Sequence, residues 1–404
     1  MNPEPPQSGG RVRPVAAIAP PAAPAGPQAC AVIDLDAIRD NVAALRARAH
    51  GAEVMAVLKA NAYGHGLLPT ARASVAGGAS RLGVAVLAEA FALRAAGITE
   101  PVLAWLSAPG APYQRAIAED IDMAAHSLDQ LREIAAAAAE CGHAARVHLK
   151  VDTGMGRGGA TASDWPALVE EARARELDGL IRVEGVWSHL ARADEPGEPS
   201  IARQLAVFDE ALDVATRGGL RPAVRHIANS AATLSLPESH YDMVRPGLAI
   251  YGVDPLAPKN HPLAAALRPA MTLRARLVQI KRVVADTPVS YGHTYATPRP
   301  TTLAVVPLGY ADGIPRSASD IGPVQVHGNR HTVSGRVCMD QFVIDLGDDD
   351  AAIGDDVVIF GPGDLDAPTV LDWASAAHTI AYEILTRIGD RVERIYTGGP
   401  HAPM

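Results

Sequence analysis

Lysine is the scarce residue of this 404-residue chain, with four lysines against thirty-two arginines. Routine surface charge therefore falls to arginine. A lysine that remains is more apt to do what arginine cannot, namely lose its proton and form a carbon–nitrogen bond. Cysteine is nearly absent too, and Cys30, Cys141 and Cys338 stand far apart. Without a CxxC pair or metal-ligand spacing, neither a zinc ribbon nor a disulfide framework is expected, no metal is implied, and a reducing compartment fits best. No apolar run approaches the ~20 residues of a membrane span. A net charge of −9 offers no general attraction to phosphate backbones, which argues against nucleic acid as a partner. A cytoplasmic protein is expected.

What is present points to a folded enzyme of two units. The chain is longer than the roughly 250–300 residues at which single cores stop growing. Its 48% hydrophobic and 20% charged residues exclude a wholly disordered or fibrous chain. Near the start, Arg11 and Arg13 precede Val15-Ala16-Ala17-Ile18-Ala19 as in an export signal, but Pro20, Pro21, Pro24 and Pro27 cut the apolar run short. Residues 1–28 read as a disordered Pro/Ala tail.

From residue 53 to 251, short continuous apolar runs alternate with helical patterns, as strands buried on both faces should. Eight runs qualify, at 54–58, 82–87, 102–106, 121–125, 147–151, 183–188, 224–227 and 244–251. Helices are expected between them, for example at 127–141, capped by Ser127 and closed by Gly142, and at 200–217, closed by Gly218. Eight βα units in this length fit an α/β fold of the (β/α)8 TIM-barrel type better than an open sheet. After the Pro255, Pro258 and Pro262 cluster the texture changes to strands at 271–284, 302–308, 324–327, 331–346 and 357–360, followed by one helix at 371–388. The expected organisation is a tail over 1–28, a barrel over 29–262 and a smaller, mostly β domain over 263–404.

Functional residues of a parallel barrel sit at the C-terminal ends of its strands. Lys59 directly follows the run 54–58, and Lys150 falls within the run 147–151. A lysine at an apolar barrel mouth is desolvated, and its neutral amine can attack a carbonyl to form a Schiff base. Position alone leaves open a lysine that merely reaches into water. A rival signal is Gly154-Met155-Gly156-Arg157-Gly158-Gly159, a GxGxxG string with Glu176 and Asp178 about twenty residues on. It follows the fifth run instead of opening the first βαβ unit, so it is weak support for a dinucleotide site.

Lys59-Ala60-Asn61-Ala62-Tyr63-Gly64-His65-Gly66 resembles the pyridoxal-phosphate lysine motif of the alanine racemase family, the fold type III group of pyridoxal enzymes. The resemblance runs on through Val151-Asp152-Thr153-Gly154-Met155-Gly156-Arg157, Ser188-His189-Leu190-Ala191, Ala228-Asn229-Ser230, Val244-Arg245-Pro246-Gly247, Ser290-Tyr291-Gly292 and Val337-Cys338-Met339-Asp340-Gln341. It implies a barrel with a β domain, an isomerase interconverting L- and D-alanine, D-alanine supply for peptidoglycan, and a homodimer whose subunits share their active sites.

Residue by residue, the resemblance makes Lys59 and Tyr291 the two bases, one per face of the α-carbon, with Tyr291 supplied by the neighbouring subunit. A free phenol titrates near 10, so it needs help near neutrality, and His189 bridges it to Arg245. Arg245 occupies the place facing the pyridine nitrogen. A guanidinium cannot readily give up a proton there, so the ring is a weaker electron sink and quick reprotonation is favoured over transamination. Tyr63, Asn229, Ser230, Gly247, Leu248 and Tyr382 match cofactor contacts, mostly at the phosphate. Arg157 serves both cofactor and substrate, and the Met339 amide orients the substrate carboxylate. Tyr310, Arg316, Arg336 and Asp340 line the entry path, and Lys150 is the lysine often carbamylated in relatives.

Two alternatives stay open on sequence. A racemase of broader specificity would share these motifs. A barrel decarboxylase would share the cofactor lysine, but with an acidic partner at the ring nitrogen and a reactive cysteine from the second domain.

Overall fold

In a computed structural model, residues 26–256 and 267–399 are described. Most of the tail expected over 1–28, and Pro258 and Pro262 of the proline cluster, lie outside the described residues. The first strand is β1 (Ala29–Asp34). The continuous apolar runs then form β2 (Glu53–Val57), β3 (Arg81–Val86), β4 (Val102–Leu106), β5 (Ile121–Ala125), β6 (Ala145–Lys150), β7 (Ile181–Trp187), β8 (Val224–His226) and β9 (Met243–Val244). They are parallel in the order β8-β7-β6-β5-β4-β3-β2-β9. The ends meet where Asp242 N–H donates to the Arg225 carbonyl at 3.1 Å and Arg245 N–H to the Ala228 carbonyl at 2.9 Å, so the eight-stranded sheet closes into a barrel.

Two apolar clusters result. A large one lies mainly between the strands and their helices and continues into the second region. A small one, Met55, Leu103, Ala124, Trp187, Val224 and Met243, fills the lumen. Barrel lumens are usually packed with branched apolar side chains. This one also encloses Asp122, His148 and His226, each 1% exposed or less.

The second region is mostly β. It comprises β10 (Met271–Arg276), β11 (Gln279–Val283), β12 (Pro288–Val289), β13 (Tyr295–Ala296), β14 (Thr301–Val306), β15 (Pro323–Val326), β16 (Asn329–Thr332), β17 (Phe342–Gly347), β18 (Asp356–Phe360) and β19 (Glu393–Thr397). A six-stranded sheet has the order β16-β15-β18-β10-β1-β19, beside a three-stranded sheet β11-β14-β17 and the ribbon β12-β13.

Several expectations change in detail. The first strand β1, within the stretch expected for the barrel, pairs instead with β10 and β19 of the second region. The run 244–251 is a strand only at its start, because Leu248–Tyr251 coil into a 3-10 turn after Pro246-Gly247. The run 331–346 is interrupted, so 335–341 form a loop between β16 and β17. The helix expected over 371–388 is two helices, Val370–Ala376 and Ala381–Thr386, with His378 in a left-handed conformation between them.

Asn41, on the helix Leu35–Arg48, clamps the two regions together. Its buried amide donates to the carbonyls of Ile250 (3.1 Å) and Arg268 (2.8 Å) and accepts from Arg268 N–H (2.9 Å). Replacing it by Leu strands three backbone groups away from water, each costing about 1–3 kcal/mol. Asn41→Leu is expected to lose about 3 kcal/mol or more of stability, read as a lower urea midpoint at unchanged slope.

Candidate active site

Lys59 opens a short turn just above β2. The next four residues, Ala60, Asn61, Ala62 and Tyr63, have φ between 52° and 54°. A run of non-glycine residues in this left-handed region costs about 1–2 kcal/mol per residue, and persists only where surroundings enforce it. The enforcement is visible. Ala62 N–H donates to Leu58 (2.7 Å) and Gly64 N–H to Ala60 (3.1 Å). Glu89, on the helix after β3, accepts from Ala60 N–H at 2.6 Å and from Ala85 N–H at 2.9 Å. Buried His65 places Nδ1 3.1 Å from the carbonyls of Ala62 and Tyr63, so that nitrogen must donate. Burial lowers the ring to about 4 and keeps it neutral. Gly66 ends the turn at φ +96°, where a Cβ would lie 2.0 Å from the Tyr396 hydroxyl.

The turn sets Lys59 Nζ 5.8 Å from the centre of the Trp105 ring. Burial lowers its pKa, and the cations Arg157 and Arg245 add to that against the opposing carboxylate of Glu89. Lys150, at the end of β6, lies with Nζ 4.4 Å from the Trp187 ring centre and is brought down to about 8, by burial first and then by Arg245 and Arg157. Arg157 is exposed, on a loop folded around Asp152, whose Oδ1 accepts from the amides of Gly154, Met155 and Gly156. The next helix begins only at Trp165, so this glycine string opens no helix and the dinucleotide reading loses its structural context.

Arg245 is buried with no carboxylate among its hydrogen-bond partners. It donates through Nη1 to His226 Nδ1 (3.0 Å) and through Nη2 to the Ser188 carbonyl (2.8 Å) and His189 Nδ1 (3.3 Å). Burial lowers it to about 9, still a cation near neutrality. His189 is driven well below its usual range by burial and by Arg245, Arg157, Lys150 and Lys59, in that order. It is therefore neutral, and because Nδ1 accepts from arginine its proton sits on Nε2.

Opposite this cluster, β8 leads through Asn229, which caps the helix Ser230–Ser235 by accepting from Ala232 N–H (3.1 Å). Ser230 Oγ accepts from the amides of Gly247 (2.8 Å) and Ala249 (3.2 Å). The Leu248 amide between them has no acceptor among the described residues. Gly247 has backbone so close to Tyr63 that a Cβ would meet its hydroxyl at 2.5 Å. Tyr382, from the second region, completes this wall with its ring centre 5.9 Å from that of Tyr63. Burial raises both phenols, that of Tyr382 to about 12, so both hydroxyls stay protonated donors.

Tyr291, Met339, Tyr310, Arg316, Arg336 and Asp340 gather elsewhere. The Cys338 carbonyl accepts from Tyr310 N–H (3.0 Å), Arg336 lies against Gly292, and Asp340 pairs with Arg391 (2.7 Å). Arg316 is exposed on its own 3-10 turn. Tyr291 is 71% and Met339 53% exposed. No hydrogen bond, ion pair or ring contact among the described residues joins this group to Lys59. Sequence reasoning missed Glu89, Trp187, His226, His148 and Asp122. Their only sequence signal is position, at strand ends, inside strands, or in the first turn after one.

Models of the alanine racemase N-terminal and C-terminal domains match residues 33–255 and 270–396. The chain is 57% identical over 369 residues to the alanine racemase of Frankia casuarinae, covering 91% of this chain and 96% of that one. The chain belongs to the alanine racemase family. An alanine racemase of Salinispora arenicola is 56% identical over 367 residues, with 91% and 97% of the two chains covered. Among solved structures, the alanine racemase of Streptomyces lavendulae superposes with a TM-score of 0.91 at 54% identity, over 93% of this chain and 98% of that one. Alanine racemases are isomerases dependent on pyridoxal phosphate. No helix among the described residues is long and apolar enough to cross a membrane.

Within this alanine racemase site, Glu89 is the one group that opposes the lowering of Lys59. Glu89→Gln removes the charge and keeps one of the two accepting oxygens. Its Lys59 is expected to titrate lower than in the parent, measured as the pH midpoint of reductive methylation located by mass spectrometry. An unchanged midpoint would contradict that role.

Proposed function

We propose that this chain interconverts L- and D-alanine at the barrel mouth, with pyridoxal 5'-phosphate held there and the second base supplied by another copy of the chain. The observation that carries the reading is Lys59, a lysine on an enforced strained turn whose protonated form is disfavoured by burial and by two arginines. The residues present suit the cofactor. Three further cations, Lys150, Arg157 and Arg245, surround the lysine and suit a guest rich in negative charge. Beside them, the bare Gly247 backbone, the spare Leu248 amide and the protonated hydroxyls of Tyr63 and Tyr382 suit its phosphate, with Ser230 and Asn229 holding that loop. When bound, pyridoxal phosphate draws electrons from the substrate α-carbon and so acidifies its C–H bond.

The chain's own groups then have these tasks. Lys59 Nζ takes or returns the α-proton on one face, and Tyr291 Oη does so on the other. His189 donates from Nε2 toward the Tyr291 oxygen and helps it carry charge, while Nδ1 stays bound to Arg245. Arg245 would hold the pyridine nitrogen as a donor, which suits proton return over side reactions. Arg157 and the Met339 amide take the substrate carboxylate, and Tyr310, Arg316, Arg336 and Asp340 line the way in. The exposure of Tyr291 and Met339 in a single chain supports a homodimer in which each site is completed by the partner. Lys150 as a carbamate would become an anion able to pair with Arg157. An amine lowered to about 8 is about one-tenth neutral at pH 7, and the neutral amine is the form that reacts with carbon dioxide.

Purified protein given the cofactor and L-alanine should lose optical rotation as the enantiomers equilibrate, and a colourless, inactive protein would overturn the reading. Tyr291→Phe should lose proton abstraction from L-alanine far more than from D-alanine, at least about a hundredfold, followed as solvent deuterium uptake from each enantiomer. Equal losses would remove the assignment of faces. For Lys150, a mass increment that rises with dissolved carbon dioxide and with pH is expected. Lys150→Ala should be slower and partly restored by short carboxylates, and a fully active variant would exclude the modification's role.

A further inference from the structure

The lumen of the barrel contains a line of polar side chains that the racemase reading leaves unused. It starts at Arg245 above β9 and passes to His226 at the end of β8, with Nη1 and Nδ1 3.0 Å apart. His226 Nε2 then faces His148 Nδ1 at 2.9 Å, the two rings crossing at 75°. His148 Nε2 lies 3.5 Å from Asp122 Oδ2, within ion-pair distance but not hydrogen-bonded, and neither atom has another hydrogen-bond partner among the described residues. Asp122 Oδ1 accepts from Arg146 Nε at 2.5 Å, and Arg81 Nη1 lies 3.7 Å from Oδ2. Arg146 and His148 alternate on one face of β6, and Asp122 sits at the start of β5. The line therefore runs the length of the lumen, from the catalytic mouth to the opposite rim.

The proton order along this line is dictated by its ends. Arginine can only donate, so His226 Nδ1 must be bare and the neutral ring carries its proton on Nε2. That proton is donated to His148 Nδ1, which leaves the His148 proton on Nε2, on the side of the Asp122 carboxylate. Burial would raise the Asp122 carboxyl, but His148 and Arg146 more than offset it and hold it ionised. His226 is held neutral by burial and by Arg245. The surroundings make room for both rings. Trp187 stacks on His226 at 5.6 Å with planes 7° apart and lies 4.9 Å beneath Arg245. A Cβ at Gly185 would strike His148 Nδ1 at 2.3 Å. A buried polar chain is costly, the more so where His148 Nε2 and Asp122 Oδ2 lack a hydrogen bond, so its presence in a lumen that apolar side chains could fill calls for a return.

We infer that Asp122, His148 and His226 are positioning residues, a one-way donor chain that supplies the missing counter-charge of Arg245 from the far end of the lumen and fixes which guanidinium N–H groups remain free at the mouth. The inference deepens the racemase reading in its kinetic consequence and rests on that reading there. Its proton order does not.

The test uses the full-length, cofactor-loaded protein labelled with 15N-histidine, the two rings being assigned with His148→Gln and His226→Gln. Both rings should appear as neutral Nε2–H tautomers. A His226 proton on Nδ1, or a cationic ring, would overturn the chain without any reference to turnover. In Asp122→Asn, kcat should fall about tenfold in both directions with KM for alanine within about twofold, and the cofactor's absorption band should shift. His226→Asn is the second variant, because it keeps an acceptor for Arg245 while cutting the link to His148, and the same changes are expected. Unchanged kcat and band in either variant would show that only the local partner of Arg245 matters and would end the proposal. A wild-type protein that racemises nothing would instead refute the functional reading and leave the tautomer result standing.

Discussion

A buried guanidinium without a carboxylate beside it is the constraint around which this molecule is arranged. Arg245 holds its charge in the barrel mouth by directing its donors to two imidazoles and the backbone carbonyls of Ser188 and Ile227. Burial first, with the same charge adding to it, keeps His189 and His226 neutral and pushes Lys59 and Lys150 toward their amine forms. Mutual repulsion among four cations is unfavourable in the free protein. An anionic guest would relieve it. The strained turn at residues 60–63 works in the same direction, since it fixes the amine where a flexible lysine would swing out to water.

Much of the barrel was legible in the sequence. Strands buried on both faces are continuous apolar runs, and seven of the eight expected strands overlap the observed ones to within about two residues at each end. The eighth was overextended because the residues after Pro246-Gly247 are as apolar in a 3-10 turn as they would be in a strand. The second region was harder. Its strands are exposed on one side, and the ribbon formed by Pro288–Val289 and Tyr295–Ala296 has two residues per strand and no readable period. The break at His378 was hidden because residues 371–388 keep a helical pattern on both sides of it.

The candidate site divides along the same line. Barrel groups carried by motifs, among them Arg157, His189 and Arg245, lie around Lys59, whereas Tyr291, Met339 and Asp340 of the second region do not. Groups that act inside strands were not found. A histidine such as His148, between Val147 and Leu149, reads as a polar interruption in a buried run, and only the closed barrel reveals that it faces His226 and Asp122. The expectation that brings Tyr291 to Lys59 involves two chains, and no pattern within one chain could supply that geometry.

The first strand has a consequence for how the molecule comes into being. β1 is sandwiched between β10 and β19, pairing Asp34 with Thr397 and Ile33 with Met271. It precedes every barrel strand in the chain, yet its neighbours β10 and β19 both follow the barrel. The barrel can close while β1 is still an unpaired edge, a state prone to sticking to other chains. The six-stranded sheet is therefore a lock that waits for the barrel, since β1 finds its partners only once the chain through β19 is available.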